Sequence, residues 1–404
     1  QALQAFAATG LPHRRVEAWK YTDLRALMPE AAPLAAQPSR AEMAAALAKP
    51  AALACADAVT ISVVNGAFAG IAGALPKGVS VTPLAQALGD GHADLAFMGQ
   101  LEIARNDAAI ALNTAFMTDG ALIRVAAGAA IAAPIVLRMV TDAAAAAATA
   151  VRFLVVVEAG ASLTLVESQE TRGAAHQPNS VVELSVGEGA KVTHLRAAEH
   201  DADAIVLATL AADLGAHAQL DSVVLIASGA VVRQQGFIRF GGEGARASLN
   251  GGTLIAGEQH ADSTLVVDHA EPGGVSRELF RTVADGMATG VFQGKIIVRK
   301  EAQKTDGRMA SNAVLLGEGS AMNNKPELEI FADDVQCAHG ATCGALDDEL
   351  LFYLMARGLP RKEAEALMIE SFVGEALDAV GHEELHEAMT GQIEAWLSKR
   401  STRA

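Results

Sequence analysis

A Gly-Ala pair that recurs roughly once per thirty residues is the feature that most constrains how this chain can fold. The pair occurs five times, beginning at Gly128, Gly160, Gly189, Gly215 and Gly244. Successive occurrences are 32, 29, 26 and 29 residues apart. Short runs of alternating apolar and polar residues, which are typical of half-buried strands, follow most of the pairs. Glycine suits a turn with positive φ, and its regular recurrence indicates stacked coils with a shared core. The repeat therefore predicts a β-solenoid; a β-sandwich, whose turns come closer together, is the alternative.

The spacing of apolar residues divides the chain into three regions. Residues 1–105 are rich in alanine and have mostly helical spacing, and Ser39 is a candidate N-cap there. Residues 106–345 carry the strand-like runs, and residues 346–404 return to helical spacing. We therefore predict a mainly β protein, in which a right-handed parallel β-helix core lies between an N-terminal and a C-terminal helical domain.

Charge and composition argue against several classes of partner. The 404 residues carry a formal net charge of −16 without a lysine and arginine cluster, so we expect no nucleic-acid partner. The longest uncharged run is broken by glycine, asparagine and proline, so no membrane span is predicted. The cysteines Cys55, Cys337 and Cys343 are too few for a disulfide framework and indicate a reducing compartment. No signal peptide is visible, and we expect a cytoplasmic protein.

The densest run of metal-capable side chains is DDVQCAHGATC, residues 333–343. If this run is extended, Cys337 and His339 project from the same face of a strand. A thiolate beside an imidazole can bind iron, zinc or copper, and it can also act as a nucleophile with its base. Because a structural tetrahedral metal site needs four ligands, the pair alone is incomplete. It is either incidental, with the cysteine serving as a small apolar residue, or one half of a site that another chain completes.

The segment HEELH, residues 382–386, matches the HExxH pattern of zinc hydrolases. On a helix, His382 and His386 would share a face, with Glu383 as the general base, but no third ligand is visible. A charged, solvated helix explains the same residues without a metal. The zinc hydrolase is therefore an alternative to a role based on Cys337 and His339.

Nucleotide-binding motifs are incomplete in this sequence. The segment GVFQGKI resembles a phosphate loop, but its glycine spacing is wrong and no serine or threonine follows Lys295. We therefore expect no nucleotide to be bound by this chain. Near the start of the chain, Trp19 is predicted to anchor a helix to the solenoid.

Several stretches together resemble the SufB/SufD family of iron–sulfur cluster assembly proteins. The similar segments extend over essentially the whole chain: RRVEAWKYTDL at 14–24, ALNTAFMTDG at 111–120, NNKPELEIFADDVQCAHGATCG at 323–344, LLFYLMARG at 350–358 and SFVGEAL at 371–377. Gly340 directly after His339 makes the chain more similar to the SufD branch than to SufB. Ala338 and Cys343 depart from the residues that we expect in the family, and the role of Cys343 stays open.

The resemblance implies a parallel β-helix between helical domains and a complex with SufB and the ABC-type ATPase SufC. SufC would dock on the C-terminal helices and supply the nucleotide chemistry that this chain lacks. The resemblance also implies that His339, and with it Cys337, contributes to a transient iron–sulfur cluster shared with SufB. An exposed solenoid edge would favour a homodimer when SufB is absent.

These observations lead to the hypothesis of a non-catalytic scaffold subunit for iron–sulfur cluster assembly. One rival is the zinc hydrolase that uses His382, Glu383 and His386. Another is a purely structural partner of SufB whose metal-capable side chains are idle. A carbohydrate-active β-helix is disfavoured, because such enzymes are mostly exported and no export signal is visible here.

Overall fold

The core of the protein is a parallel β-solenoid of about 8 turns, and 44% of the residues are in strands. The computed structural model describes Leu3, Phe6 and residues 10–403, with side chains as far as residue 400. The solenoid predicted from the glycine repeat is confirmed, and the β-sandwich is excluded because successive strands do not pair with each other along the core. Helices precede and follow the solenoid, as predicted.

Two sheets form the walls of the solenoid, and from β4 onward successive strands alternate between them. The ten-stranded sheet comprises β1 (Val59–Val64), β2 (Ala67–Ala72), β5 (Ile135–Asp142), β7 (Ser162–Arg172), β9 (Lys191–Glu199), β11 (Gln219–Ile226), β13 (Arg246–Ile255), β15 (Val275–Ala284), β17 (Asp306–Leu315) and β19 (Gln336–Gly344). The nine-stranded sheet comprises β3 (Val79–Pro83), β4 (Asp119–Val125), β6 (Ala148–Val157), β8 (Gln177–Val186), β10 (Ile205–Leu214), β12 (Val231–Phe240), β14 (His260–His269), β16 (Thr289–Val298) and β18 (Ala321–Ile330). The pairs β1–β2 and β3–β4 are antiparallel, and the other pairs are parallel.

The recurring glycines lie at one corner of the solenoid, where the chain passes from one sheet to the other. Four of the five have φ between 63° and 68°: Gly128, Gly160, Gly189 and Gly244. Gly215 differs, because the left-handed residue of its turn is His217, two positions later, with φ of 54°. The amide of Gly189 donates to the carbonyl of Ala216 in the next turn at 2.8 Å. Positive φ at this corner thus aligns one turn with the next.

Alternate side chains of each strand fill the space between the sheets with apolar residues. Some ionisable side chains are also buried there, and three of them, Glu167, His194 and Arg196, are paired with one another. His194 accepts or donates a hydrogen bond at each ring nitrogen, 2.8 Å from Ser222 Oγ and 2.8 Å from Glu167 Oε1. Arg196 donates to the other oxygen of Glu167 at 2.9 Å. These bonds satisfy the buried polar groups, as an interior of low dielectric requires.

The N-terminal region packs mainly against the outer face of the nine-stranded sheet. Its helices are α1 (Leu24–Leu27), α2 (Arg40–Leu47), α3 (Leu84–Asp90) and α4 (Ala108–Phe116), with short 3-10 helices at Glu17–Trp19, Ala93–Phe97 and Glu102–Ala104. Ser39 caps α2 in a capping box with Glu42, as its position predicted. Trp19 is buried against Arg233 of β12, which confirms its anchoring role. Strands β1 to β3 lie inside residues 1–105 and extend the two sheets, and the division of the chain at residue 105 stays a prediction.

The C-terminal helices cover the outer face of the ten-stranded sheet. They are α5 (Asp348–Ala356), α6 (Arg361–Gly374) and α7 (Glu383–Arg403), with a 3-10 helix at Glu375–Leu377. Ile369 and Val373 of α6 and Trp396 of α7 belong to one apolar cluster with strand residues such as Val223 and Val283. This packing fixes α6 and α7 beside the solenoid and leaves α5 nearer its end.

Candidate functional site

Cys337 and His339 lie on β19, the last strand of the ten-stranded sheet. Strand β18 ends the nine-stranded sheet in the same way, so the last turn of the solenoid presents two strand edges. Within the described residues, no further strand or helix pairs with these edges. Unpaired N–H and C=O groups of an edge strand are a template for pairing with another chain. The site therefore lies where a second protein can continue the sheets.

The thiol of Cys337 points into the end of the solenoid. Cys337 pairs in register with Gly307 of β17 and packs against the interior apolar cluster, and its side chain is half-buried. Burial raises the pKa of this thiol, a hydrogen bond with the Gly307 backbone opposes the change, and the carboxyl groups of Asp306 and Glu278 add to it. The cysteine is consequently held as a thiol until a positive charge, such as a metal ion, favours the thiolate.

The imidazole of His339 lies on the same face of β19 as the thiol, but it is exposed. His339 pairs with Met309, whose side chain is buried in the interior cluster, so the two residues of β19 both follow the inward-facing positions of β17. The expectation that an extended segment puts Cys337 and His339 on one face thus agrees with the register. Two residues along a strand separate them by about 7 Å.

The described residues contain no group of three or more histidine, cysteine, aspartate or glutamate side chains placed to hold a metal ion. Cys343 is exposed farther along β19, and Cys55 is half-buried beside the C-terminal helices. Cys337 and His339 can therefore supply two ligands, and further ligands must come from a second chain or from the bound species itself.

Three polar side chains near the site were not anticipated from the sequence. Ser311 of β17 is fully buried and donates a hydrogen bond to Asn324 Oδ1 of β18 at 2.7 Å. Glu278 of β15 is buried in the interior, and neither of its carboxyl oxygens has a hydrogen-bond partner in the described chain. Alternation along NNKPELEIF could have placed Asn324 on an inward face, whereas the position of Glu278 depends on how distant turns stack.

The HEELH segment forms the start of α7. His382 directly precedes α7, which begins at Glu383, and its carbonyl accepts a hydrogen bond from the His386 amide at 2.9 Å, one helical turn later. His382 Nδ1 is buried without a partner in the described part of the chain, and His386 is half-buried. Glu384, next to Glu383, accepts a hydrogen bond from the Ala56 amide at 2.8 Å, which connects this segment to the N-terminal region. The segment thus begins a helix that packs on the solenoid.

Comparison with protein families gives matches along most of the chain. Residues 139–372 match the SufBD core domain of the SUF system for FeS cluster assembly, and residues 1–137 match the SufBD N-terminal region. The chain belongs to the SufBD family. The two matches cover the N-terminal region, the solenoid and part of the C-terminal helical region, and they support a role in iron–sulfur cluster assembly.

Individual SufBD relatives are similar over different lengths. An iron–sulfur cluster assembly SufBD family protein of Synechocystis is 31% identical over 389 residues, which are 92% of this chain and 84% of the relative. The iron–sulfur cluster assembly protein SufD of Escherichia coli is 35% identical over 165 residues, 41% of this chain and 39% of the relative. The chloroplastic protein ABCI7 of Arabidopsis thaliana is 28% identical over 252 residues, 61% of this chain and 52% of the relative.

None of the helices in the described part of this SufBD family member combines the length and the apolarity needed to span a membrane.

Proposed function

We propose that this chain is a non-catalytic scaffold subunit of a SufB–SufC–SufD-type complex in which a nascent iron–sulfur cluster is assembled. His339 and Cys337 contribute ligands to a cluster that is shared with SufB at the open end of the solenoid. The observation that carries the proposal is the exposed imidazole of His339 beside a thiol on an edge strand, with too few ligands for a closed site. Family membership supplies the cargo, because cysteine and histidine are both known to ligate iron in such clusters.

The C-terminal helices are proposed to bind the ABC-type ATPase. Four of the side chains on α5 are large, apolar or aromatic, and substantially exposed: Leu350, Phe352, Tyr353 and Met355. A group of exposed side chains of this kind indicates a protein contact. Nucleotide binding would then belong to the ATPase, and this chain would hold none itself. The open edges of β18 and β19 would pair with SufB, or with a second copy of this chain when SufB is absent.

The test is the iron and sulfide content of the complex that forms when this chain is co-produced with its SufB-type and SufC-type partners. His339→Ala should leave the complex assembled but remove most of the iron and acid-labile sulfide. His386→Ala serves as the matched control, because it removes another histidine and also tests the zinc hydrolase. Unchanged iron and sulfide in His339→Ala would contradict the role of His339 and favour a purely structural subunit. One zinc ion lost in His386→Ala would instead favour the hydrolase.

A further inference from the structure

The nine-stranded sheet presents one polar side chain, that of Asn324, to the open end of the solenoid near His339. Strand β18 pairs with β16, whose Phe292 and Ile296 are buried in the interior. The residues of β18 in register with these two therefore also face inward. By this register the inward residues of β18 are Met322, Asn324, Pro326, Leu328 and Ile330. Among them only Asn324 carries a hydrogen-bonding side chain. The nine-stranded sheet thus offers one amide group to the open end of the solenoid.

The orientation of this amide is fixed by Ser311. Ser311 has no exposed surface, and its hydroxyl donates to Asn324 Oδ1 at 2.7 Å across the interior. Because Oδ1 accepts this bond, the two N–H groups of Asn324 remain for another acceptor. They make no hydrogen bond to the described part of the chain. On β19, the residue that pairs with Ser311 is Ala341. Its side chain is a single methyl group, so it leaves the N–H groups of Asn324 uncovered on that side.

The strand register shows how far along the end of the solenoid the amide lies from the histidine. His339 pairs with Met309, and Ala341 pairs with Ser311, so the position that Asn324 faces is one inward step beyond His339. One inward step is two residues, or about 7 Å along a strand. A species that contacts both side chains has to bridge this offset between strand positions. A cluster of several iron and sulfur atoms extends farther than a single metal ion, whose bonds to its ligands are about 2 Å long.

We propose that Asn324 donates hydrogen bonds from its amide to a sulfur atom of the cluster held at Cys337 and His339, and that Ser311 is its positioning residue. This inference rests on the proposed function, and it adds a group that contacts the cargo. Hydrogen bonds to cluster sulfurs stabilise the reduced, more negative state and raise the reduction potential. Groups that orient and support a metal site commonly change its affinity by about 10–100-fold when they are removed.

The experiment uses the co-produced complex carrying Asn324→Leu, Asn324→Asp or Ser311→Ala. Asn324→Asp is nearly isosteric and can still accept from Ser311, but it replaces the donor with a negative charge. Both Asn324 variants should lower the reduction potential of the cluster and speed its loss to a chelator by on the order of tenfold. Ser311→Ala should have a smaller effect in the same direction. Asn323→Leu is the matched control, since its side chain alternates to the outer face of the same strand.

The outcomes separate this inference from the proposed function. If Asn324→Asp and Asn324→Leu give the potential and the loss rate of Asn323→Leu, the role of Asn324 is overturned, even where His339→Ala still removes the cluster. If His339→Ala retains the cluster, the proposed function fails first. Thermal unfolding of each complex identifies a variant that has lost its fold, and Asn324→Asp keeps the shape of the native residue, so it provides the decisive comparison.

Discussion

The guanidinium carbon of Arg233 lies 3.8 Å from the centre of the Trp19 ring. Arg233 also forms an ion pair with the buried Asp262 and donates to the carbonyl of Ala18 at 2.7 Å. The hydroxyl of Thr22 donates a hydrogen bond to the carboxylate of Asp262. The segment around Trp19 is thereby attached to the outer face of the solenoid through the buried guanidinium group of Arg233. This group stacks on the Trp19 ring and is also hydrogen-bonded.

Trp19→Ala should destabilise the protein by about 3–5 kcal/mol, because it removes a fully buried aromatic ring and exposes the paired Arg233 to a cavity. Denaturant unfolding followed by circular dichroism measures the change. Tyr21→Ala, two residues away and only partly buried, is the control and should cost clearly less. Equal losses for the two variants would show that the ring of Trp19 is not the anchor.

Glu278 should make stability depend on pH. Burial raises the pKa of this carboxyl to about 8, against the opposing effects of Ser276 and Arg277. Because the folded pKa exceeds the ordinary value of 4.5, folding favours the protonated form. The contribution of Glu278 to the free energy of unfolding is therefore largest below pH 4.5. It falls as the pH rises from 4.5 to about 8, and it does not change further above that pH.

Glu278→Gln should remove this dependence. The variant should be more stable than the native protein at pH 8, by roughly 2–5 kcal/mol, and the difference should shrink towards pH 5. Urea unfolding at a series of pH values tests this. Glu188→Gln, at an exposed turn, is the control and should follow the native curve. A Glu278→Gln curve parallel to the native curve would mean that the carboxyl is not buried in neutral form.

The cysteines should differ in their rate of alkylation. Burial raises the pKa of Cys337 and of Cys55, and nearby Glu384 and Asp57 raise that of Cys55 further. Cys343 is exposed. Because the thiolate is the reactive form, iodoacetamide should modify Cys343 before the other two in the isolated chain. Peptide mass spectrometry over a time course gives the order, and faster modification of Cys337 than of Cys343 would contradict the burial of its thiol.

Phe352→Ala should weaken the proposed binding of an ABC-type ATPase to α5 without affecting the fold. The ring of Phe352 is 73% exposed on α5, so its removal should change the free energy of unfolding by less than about 0.5 kcal/mol. An aromatic residue at the centre of an interface contributes on the order of 2 kcal/mol, so the Kd should rise by roughly 30-fold. Titration calorimetry measures the change. Glu349→Gln on the same helix is the control, and a normal Kd for Phe352→Ala would place the contact elsewhere.

Much of the fold could be predicted from local patterns in the sequence. The glycine repeat indicated the solenoid, because a turn with positive φ must recur once per coil. Ser39 indicated the start of α2, because its side chain bonds an amide three residues later. Alternation placed Cys337 and His339 on one face of β19. The spacing was less reliable at Gly215, where His217 takes the left-handed conformation instead.

The sequence by itself determined where the repeated strands of the core lie, where the corners recur and which side chains of one strand share a face, since these follow from interactions between residues close in the chain. Only the tertiary structure decided which groups meet across the interior. The bond between Ser311 and Asn324 joins opposite sheets, Arg233 meets Trp19 over 200 residues away, and Glu278 is isolated two strands below His339. Such contacts depend on the stacking of whole turns and on the packing between two sheets, which no local periodicity specifies.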